Sequence, residues 1–141
     1  MGGFLLDANV LIALVWPRHE FHGKVGTWFA RHSRAGWSTC PFTQAAFVRI
    51  LCNPAFSSDA LTPGNAIRLL EANINLPHHQ FWPDSLDIPK ALHSIGVRLN
   101  GHQQVTDAYL LAIASHHRGR LATLDRAIPV WAGKAAVEVV E

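Results

Sequence analysis

Apolar positions along the chain follow two rhythms, and each rhythm predicts an element. Residues 3–6 form a short apolar run that stops at Asp7. A run of that length without polar interruption fits a strand covered on both faces, as in a parallel sheet. Residues 9–16 carry Val10, Leu11, Ala13, Leu14 and Val15, which suits a helix, and Pro17 ends it. Over residues 19–33, Phe21, Val25, Trp28 and Phe29 recur at helical spacing with basic residues between them. Gly36 breaks that helix, residues 37–40 read as a second strand, and Pro41 closes it. Thr43 is placed to cap a helix through Phe47, Val48, Ile50 and Leu51 to Cys52, with Asn53-Pro54 as the stop. Thr62-Pro63 is a cap followed by proline at the first helical position, and apolar spacing carries that helix to Ile74.

Residues 79–82 predict a short extra strand before Pro83. Residues 85–99 predict a weak helix with Pro89 in its first turn, and Asn100-Gly101 turns the chain. Thr106 is placed to cap a helix from Asp107 through Tyr109, Leu110, Leu111 and Ile113 to His117, ended by Gly119. Residues 121–124 predict a strand that stops at Asp125. A helical turn over residues 127–131 leads through Gly133 to a last strand, 136–140. Strands and helices alternate with no repeat and no linker. The expected architecture is a single α/β domain over residues 1–141. It is a three-layer α/β/α sandwich around a mostly parallel sheet of roughly four or five strands.

Composition sharpens this picture at five points. The chain has 141 residues, 49% hydrophobic and 16% charged, which supplies a core and excludes disorder. No apolar run approaches the ~20 residues that span a bilayer. The first residues have no basic flank and meet Asp7 too early for a signal peptide, so the expected compartment is the cytoplasm. Cys40 and Cys52 read as reduced, largely buried thiols, and neither C-x-x-C nor H-E-x-x-H is present to suggest zinc. The net charge of +2, with nine histidines counted neutral, suits an RNA substrate but lacks the clustered charge of a dedicated duplex binder.

The topology gathers three acids. Asp7 ends the first strand, at the sheet's carboxyl edge. Asp107 opens a helix that must descend beside the sheet by about 16 Å. Residues 121–124 climb back by about 13 Å and return Asp125 to the same edge. Ligand sites of open α/β sheets lie there, near the point where strand order reverses. Three converging carboxylates repel one another, and a divalent cation is the simplest compensation. Oxygen ligands suit Mg²⁺ or Mn²⁺, and Mg²⁺ held by few carboxylates keeps several waters, which phosphodiester hydrolysis uses. The helices opening at Asn9 and Asp107 add positive potential at that edge. Singly, each acid has a structural alternative: Asp7 as a helix cap, Asp107 in a first helical turn, Asp125 in a turn. The other acids, from Glu20 to Glu138 and Glu141, read as solvated.

These residues also resemble a known family. Leu5-Leu6-Asp7-Ala8-Asn9-Val10-Leu11 resembles the opening of PIN domains. Val105-Thr106-Asp107-Ala108-Tyr109-Leu110 resembles their third acidic motif, and Leu121-Ala122-Thr123-Leu124-Asp125 the fourth. The stretch Thr39-Cys40-Pro41-Phe42-Thr43 with Phe47-Val48-Arg49-Ile50-Leu51 is similar to the VapC toxins known from mycobacteria, as are Phe81-Trp82-Pro83-Asp84 and Gly101-His102-Gln103. The resemblance implies the toxin of a type II toxin–antitoxin system. Such a toxin is an Mg²⁺-dependent endoribonuclease that cuts tRNA or rRNA and stops translation. It implies a homodimer silenced by a VapB-type antitoxin whose tail occupies the active-site groove. It implies Asp7 and Asp107 as the firmest metal ligands, with Asp125 in support.

One departure from the family pattern stands out. Gln44 occupies a position where relatives often carry Glu, and Ala46 one where more distant ones carry an acid. Gln44 can orient a water or weakly ligate a metal through its carbonyl oxygen, but it brings no charge. The alternative expectation is therefore a weakened pseudoenzyme that binds RNA or an antitoxin without cutting. Thr123 and Asn9 are candidates for holding the ligands in place, with strand packing and helix geometry as their alternatives. Arg49 is a candidate phosphate contact or a surface charge. A phosphoryl-accepting receiver domain also gathers acids at a sheet edge, but Lys134 precedes the last strand and is misplaced for that role.

Overall fold

The computed structural model describes residues 2–96 and 98–141. Among the described residues the strands are β1 (Phe4–Leu6), β2 (Trp37–Thr39), β3 (His79–Phe81), β4 (Arg120–Thr123) and β5 (Val137–Val139). They pair in the order β3-β2-β1-β4-β5, and every pairing is parallel. Among the described residues the α-helices are α1 (Ala8–Val15), α2 (His22–His32), α3 (Pro41–Leu51), α4 (Pro63–Ile74), α5 (Ile88–Ile95), α6 (Val105–His116) and α7 (Ile128–Ala132). No helix among the described residues is long and apolar enough to cross a membrane.

Adjacent residues of a strand point to opposite faces, so Leu5 and Leu6 serve two cores. Leu6 joins Val10, Leu11, Trp28, Trp37, Phe47 and Leu70 in the core under α1–α4. Leu5 joins Leu110, Ile113, Leu121, Ile128 and Val137 in the core under α5–α7. The result is the expected three-layer sandwich. Helix α6 is wedged so deeply that Ala108 to Ala114 are all buried, which accounts for a sequence that is apolar around the whole circumference.

Several expected boundaries move. Helix α3 begins at Pro41 rather than after Thr43, because the Cys40 amide donates to Thr43 Oγ1 at 3.0 Å and closes the helix start one turn earlier. Thr106 does not cap α6: the 3₁₀ turn His102–Gln104 runs straight into the helix, and Thr106 lies within its first turn. Helix α5 is shorter than expected. Asp87 caps it by accepting from the Lys90 amide at 2.8 Å, and Gly96, at φ 62°, ends it; Val97, inside the expected helix, lies outside the described residues. Helix α2 starts at His22 rather than His19. Glu138 is half-buried rather than fully solvated. It accepts from Arg120 Nη1 at 2.8 Å and from Trp28 Nε1 at 3.1 Å, tying edge strand β5 to β4 and α2. Both cysteines are free, Cys40 buried and Cys52 half-buried.

Candidate active site

The sheet order reverses between β1 and β4: the chain moves outward through β2 and β3 on one side and through β4 and β5 on the other. The carboxyl ends of β1 and β4 therefore flank the crevice in which open α/β sheets bind ligands. Asp7 follows β1 directly. Its Oδ1 accepts from the Ala8 amide at 2.8 Å, so it caps α1, while its Oδ2 accepts from the Thr123 hydroxyl at 2.8 Å. The structural alternative for Asp7 thus holds together with the functional one, because the two oxygens are used separately.

Thr123 is fully buried at the end of β4 and ties two acids. Besides donating to Asp7, its Oγ1 accepts from the Asp125 amide at 3.1 Å. Asp125 is exposed, and its Oδ1 accepts from the Ala127 amide at 2.8 Å, which shapes the turn toward α7. Asn9 Oδ1 accepts from the Leu124 amide at 3.3 Å and fastens α1 to the same turn. Asp107 is half-buried in the first turn of α6.

The electrostatics identify these acids as one group. Burial, then the charges of Asp7 and Asp125, push the Asp107 carboxyl up to about 6. Burial raises Asp7 as well, opposed by its bonds from Thr123 and Ala8 and reinforced by Asp125. Among the described residues none of the three is ion-paired to a lysine, arginine or histidine. Negative charge is thus collected with no protein cation to offset it. Among the described residues no three His, Cys, Asp or Glu side chains close around a single point tightly enough to be a complete ligand set. An all-oxygen edge with few direct ligands suits a hard divalent cation that keeps most of its water, and does not suit zinc.

The PIN domain family model matches residues 4–134. Over 138 residues the chain is 44% identical to Ribonuclease VapC39 of Mycobacterium tuberculosis, covering 96% of this chain and 98% of that protein. The chain belongs to the PIN domain family, among the VapC ribonucleases. It is also 42% identical over 133 residues to Ribonuclease VapC29 of the same organism, covering 94% of this chain and 93% of that one. Two solved structures share the PIN fold. VapBC2 from Rickettsia felis, bound to a promoter DNA fragment, matches with a TM-score of 0.68 at 8% identity, covering 98% of each chain. DNA-bound VapBC from Salmonella typhimurium matches at 0.64 and 13% identity over the full length of both.

Two other candidates fall differently within this PIN domain. Arg49 is exposed in the last turn of α3, about 12 Å along the helix axis from Pro41. The fold does not bring it to the carboxylates. Gln44 lies in the first turn of α3 and donates through Nε2 to Thr39 Oγ1 at 3.0 Å. Thr39 in turn lies 2.8 Å from His79 Nε2. Sequence reading passes over Thr39 and His79, because a bond across parallel strands 40 residues apart leaves no local signal.

Proposed function

We propose that the chain is one PIN domain acting as a VapC-type toxin, a metal-dependent endoribonuclease that cuts cellular RNA and so inhibits translation. The observation that carries this reading is the uncompensated trio at the β1/β4 switch point, with Asp107 pushed up to about 6 by burial and its acidic neighbours. The relatives named as VapC ribonucleases support it.

Asp7 and Asp107 are the residues that would hold Mg²⁺, or Mn²⁺ in its place, with Asp125 in support. When bound, such an ion lowers the pKa of a water and offsets charge on phosphate oxygens. The chain's own residues do the rest. Thr123 fixes one oxygen of Asp7 and the Ala8 amide fixes the other, so this carboxylate is oriented before any ligand arrives. Asn9 holds the turn that carries Asp125. The α1 and α6 N-termini direct their amide ends to this edge and favour a phosphate there. Antitoxin control is part of the same reading: a VapB-type partner covers the edge of a homodimeric toxin in the cytoplasm.

The test is cleavage of total RNA by the purified chain with Mg²⁺ or with EDTA, beside Asp7→Asn and Asp107→Asn. Cutting by the wild type alone, and only with metal, is expected. Equal cutting by all three proteins would show a contaminant and overturn the reading. The rival reading, a weakened binding module, is favoured by the uncharged Gln44. Metal-dependent cleavage removes it.

A further inference from the structure

Three polar side chains at the same carboxyl end of the sheet as the aspartates form a hydrogen-bonded chain that the chemistry above leaves unused. Thr39 is fully buried at the end of β2. Its hydroxyl accepts from Gln44 Nε2 at 3.0 Å and meets His79 Nε2 at 2.8 Å, and these are its side-chain partners among the described residues. A buried hydroxyl proton has to be given to an acceptor. An amide nitrogen cannot accept, so the proton goes to His79 Nε2. The imidazole is then neutral and carries its own proton on Nδ1. Burial acts in the same direction by holding His79 below the usual histidine range. His78 beside it, Lys24 and Arg31 of α2, Arg49 of α3, and Arg68 and Glu71 of α4 add nothing to that effect, and β2 and β3 carry no other titratable side chain.

The bond from Gln44 to Thr39 shows which end of the amide faces inward. Gln44 donates inward, so its carbonyl oxygen faces outward. The strand register sets what it faces. Leu5 pairs with Ser38, so Thr39 stands level with Leu6 and the following residue is Asp7. Gln44, bonded to Thr39 from the first turn of α3, opens on the same edge. Protonation of His79 reverses the chain. Nε2 then donates to Thr39, and the hydroxyl turns to Gln44 Oε1. The amide rotates and presents its NH₂ group outward.

The geometry points to His79 as a positioning residue: through Thr39 it sets which end of the Gln44 amide faces the carboxylate edge. With the carbonyl outward, the edge gains a neutral acceptor for a water beside the acids. With NH₂ outward, it gains a donor that opposes a cation. The kinetic consequence rests on the ribonuclease reading; the orientation itself does not.

NMR of the metal-free full chain over about pH 5 to 8 tests the orientation. The Gln44 side-chain NH₂ signals should shift with the midpoint of the His79 ring, below 6.5, in the wild type and in Thr39→Ser, which keeps the hydroxyl. In Thr39→Val the Gln44 response should vanish while His79 still titrates. A Gln44 amide that ignores His79 in the wild type, or still follows it in Thr39→Val, overturns the proposal. In cleavage assays at pH 7, Thr39→Val should lower kcat about fivefold with KM little changed, the worth of one neutral hydrogen bond, and Thr39→Ser should restore it. Unchanged kcat in Thr39→Val overturns the positioning role. An intact NMR response with no cleavage by any form retires the ribonuclease reading and leaves the relay standing.

Discussion

Asp107 shows at the scale of one residue what a binding edge costs. Its carboxyl, pushed from 3.8 up to about 6, holds its proton more tightly in the folded chain than in the unfolded one. Ionising it therefore opposes folding. The cost is absent below about pH 4, grows as pH rises through the window between those two values, and is complete above it. Asp107→Asn removes the cost. In EDTA the variant should match the wild type near pH 4 and exceed it at pH 7. Solvent screens much of the ~3 kcal/mol that the full shift represents, so a gap of about 1 kcal/mol is expected. Denaturant melts across that range check it, and a wild type more stable than the variant at pH 7 would refute it. Thr123 acts in the opposite sense, since its hydroxyl supports ionised Asp7. Thr123→Val should weaken Mg²⁺ binding about tenfold by calorimetry while leaving the fold intact.

Among the elements, β1 and β4, which lead to Asp7 and Asp125, are closely seated at their lower ends. Gly3, at φ 89°, leads into β1, and a Cβ there would lie 2.5 Å from the Gly36 carbonyl oxygen. Gly119 precedes β4, and a Cβ there would lie 2.7 Å from the Gly3 carbonyl oxygen. Gly3→Ala should cost more than about 2 kcal/mol, since backbone conformation and space both oppose it. Thermal melts check this, and a shift of under a degree would show that the turn yields. The strands and α6 are legible because an apolar run ending in an acid, or a helix apolar all round, is stable only where both faces are covered. The trio is legible for a related reason: strand and helix lengths alone return Asp7, Asp107 and Asp125 to one edge. What stays hidden depends on partners distant in sequence. Glu138 reads as an exposed strand residue until Arg120 and Trp28 are folded against it. The start of α6 is misplaced because Thr106 is a good cap by composition, whereas the preceding 3₁₀ turn leaves it nothing to cap.

For the whole molecule, a net charge of +2 coexists with an acidic edge that, among the described residues, lacks an internal cation. An ion that binds only the folded chain stabilises it by mass action, by about 1.4 kcal/mol at ten times its Kd. For a domain of this size that raises Tm by about 4–5 °C. Mg²⁺ at pH 7 should produce such a shift, and EDTA should abolish it. The gain should shrink as pH falls below about 6, because protons then compete for Asp107. Variants divide the edge. Asp7→Asn should lose the Mg²⁺ response outright. Asp125→Asn should keep most of it, since Asp125 is exposed. Scanning calorimetry of the three proteins with and without Mg²⁺ separates the cases. If Asp7→Asn keeps the full Mg²⁺ response, the ion stabilises the chain from somewhere other than the β1/β4 edge, and the raised carboxyl of Asp107 belongs to a site that the metal does not visit.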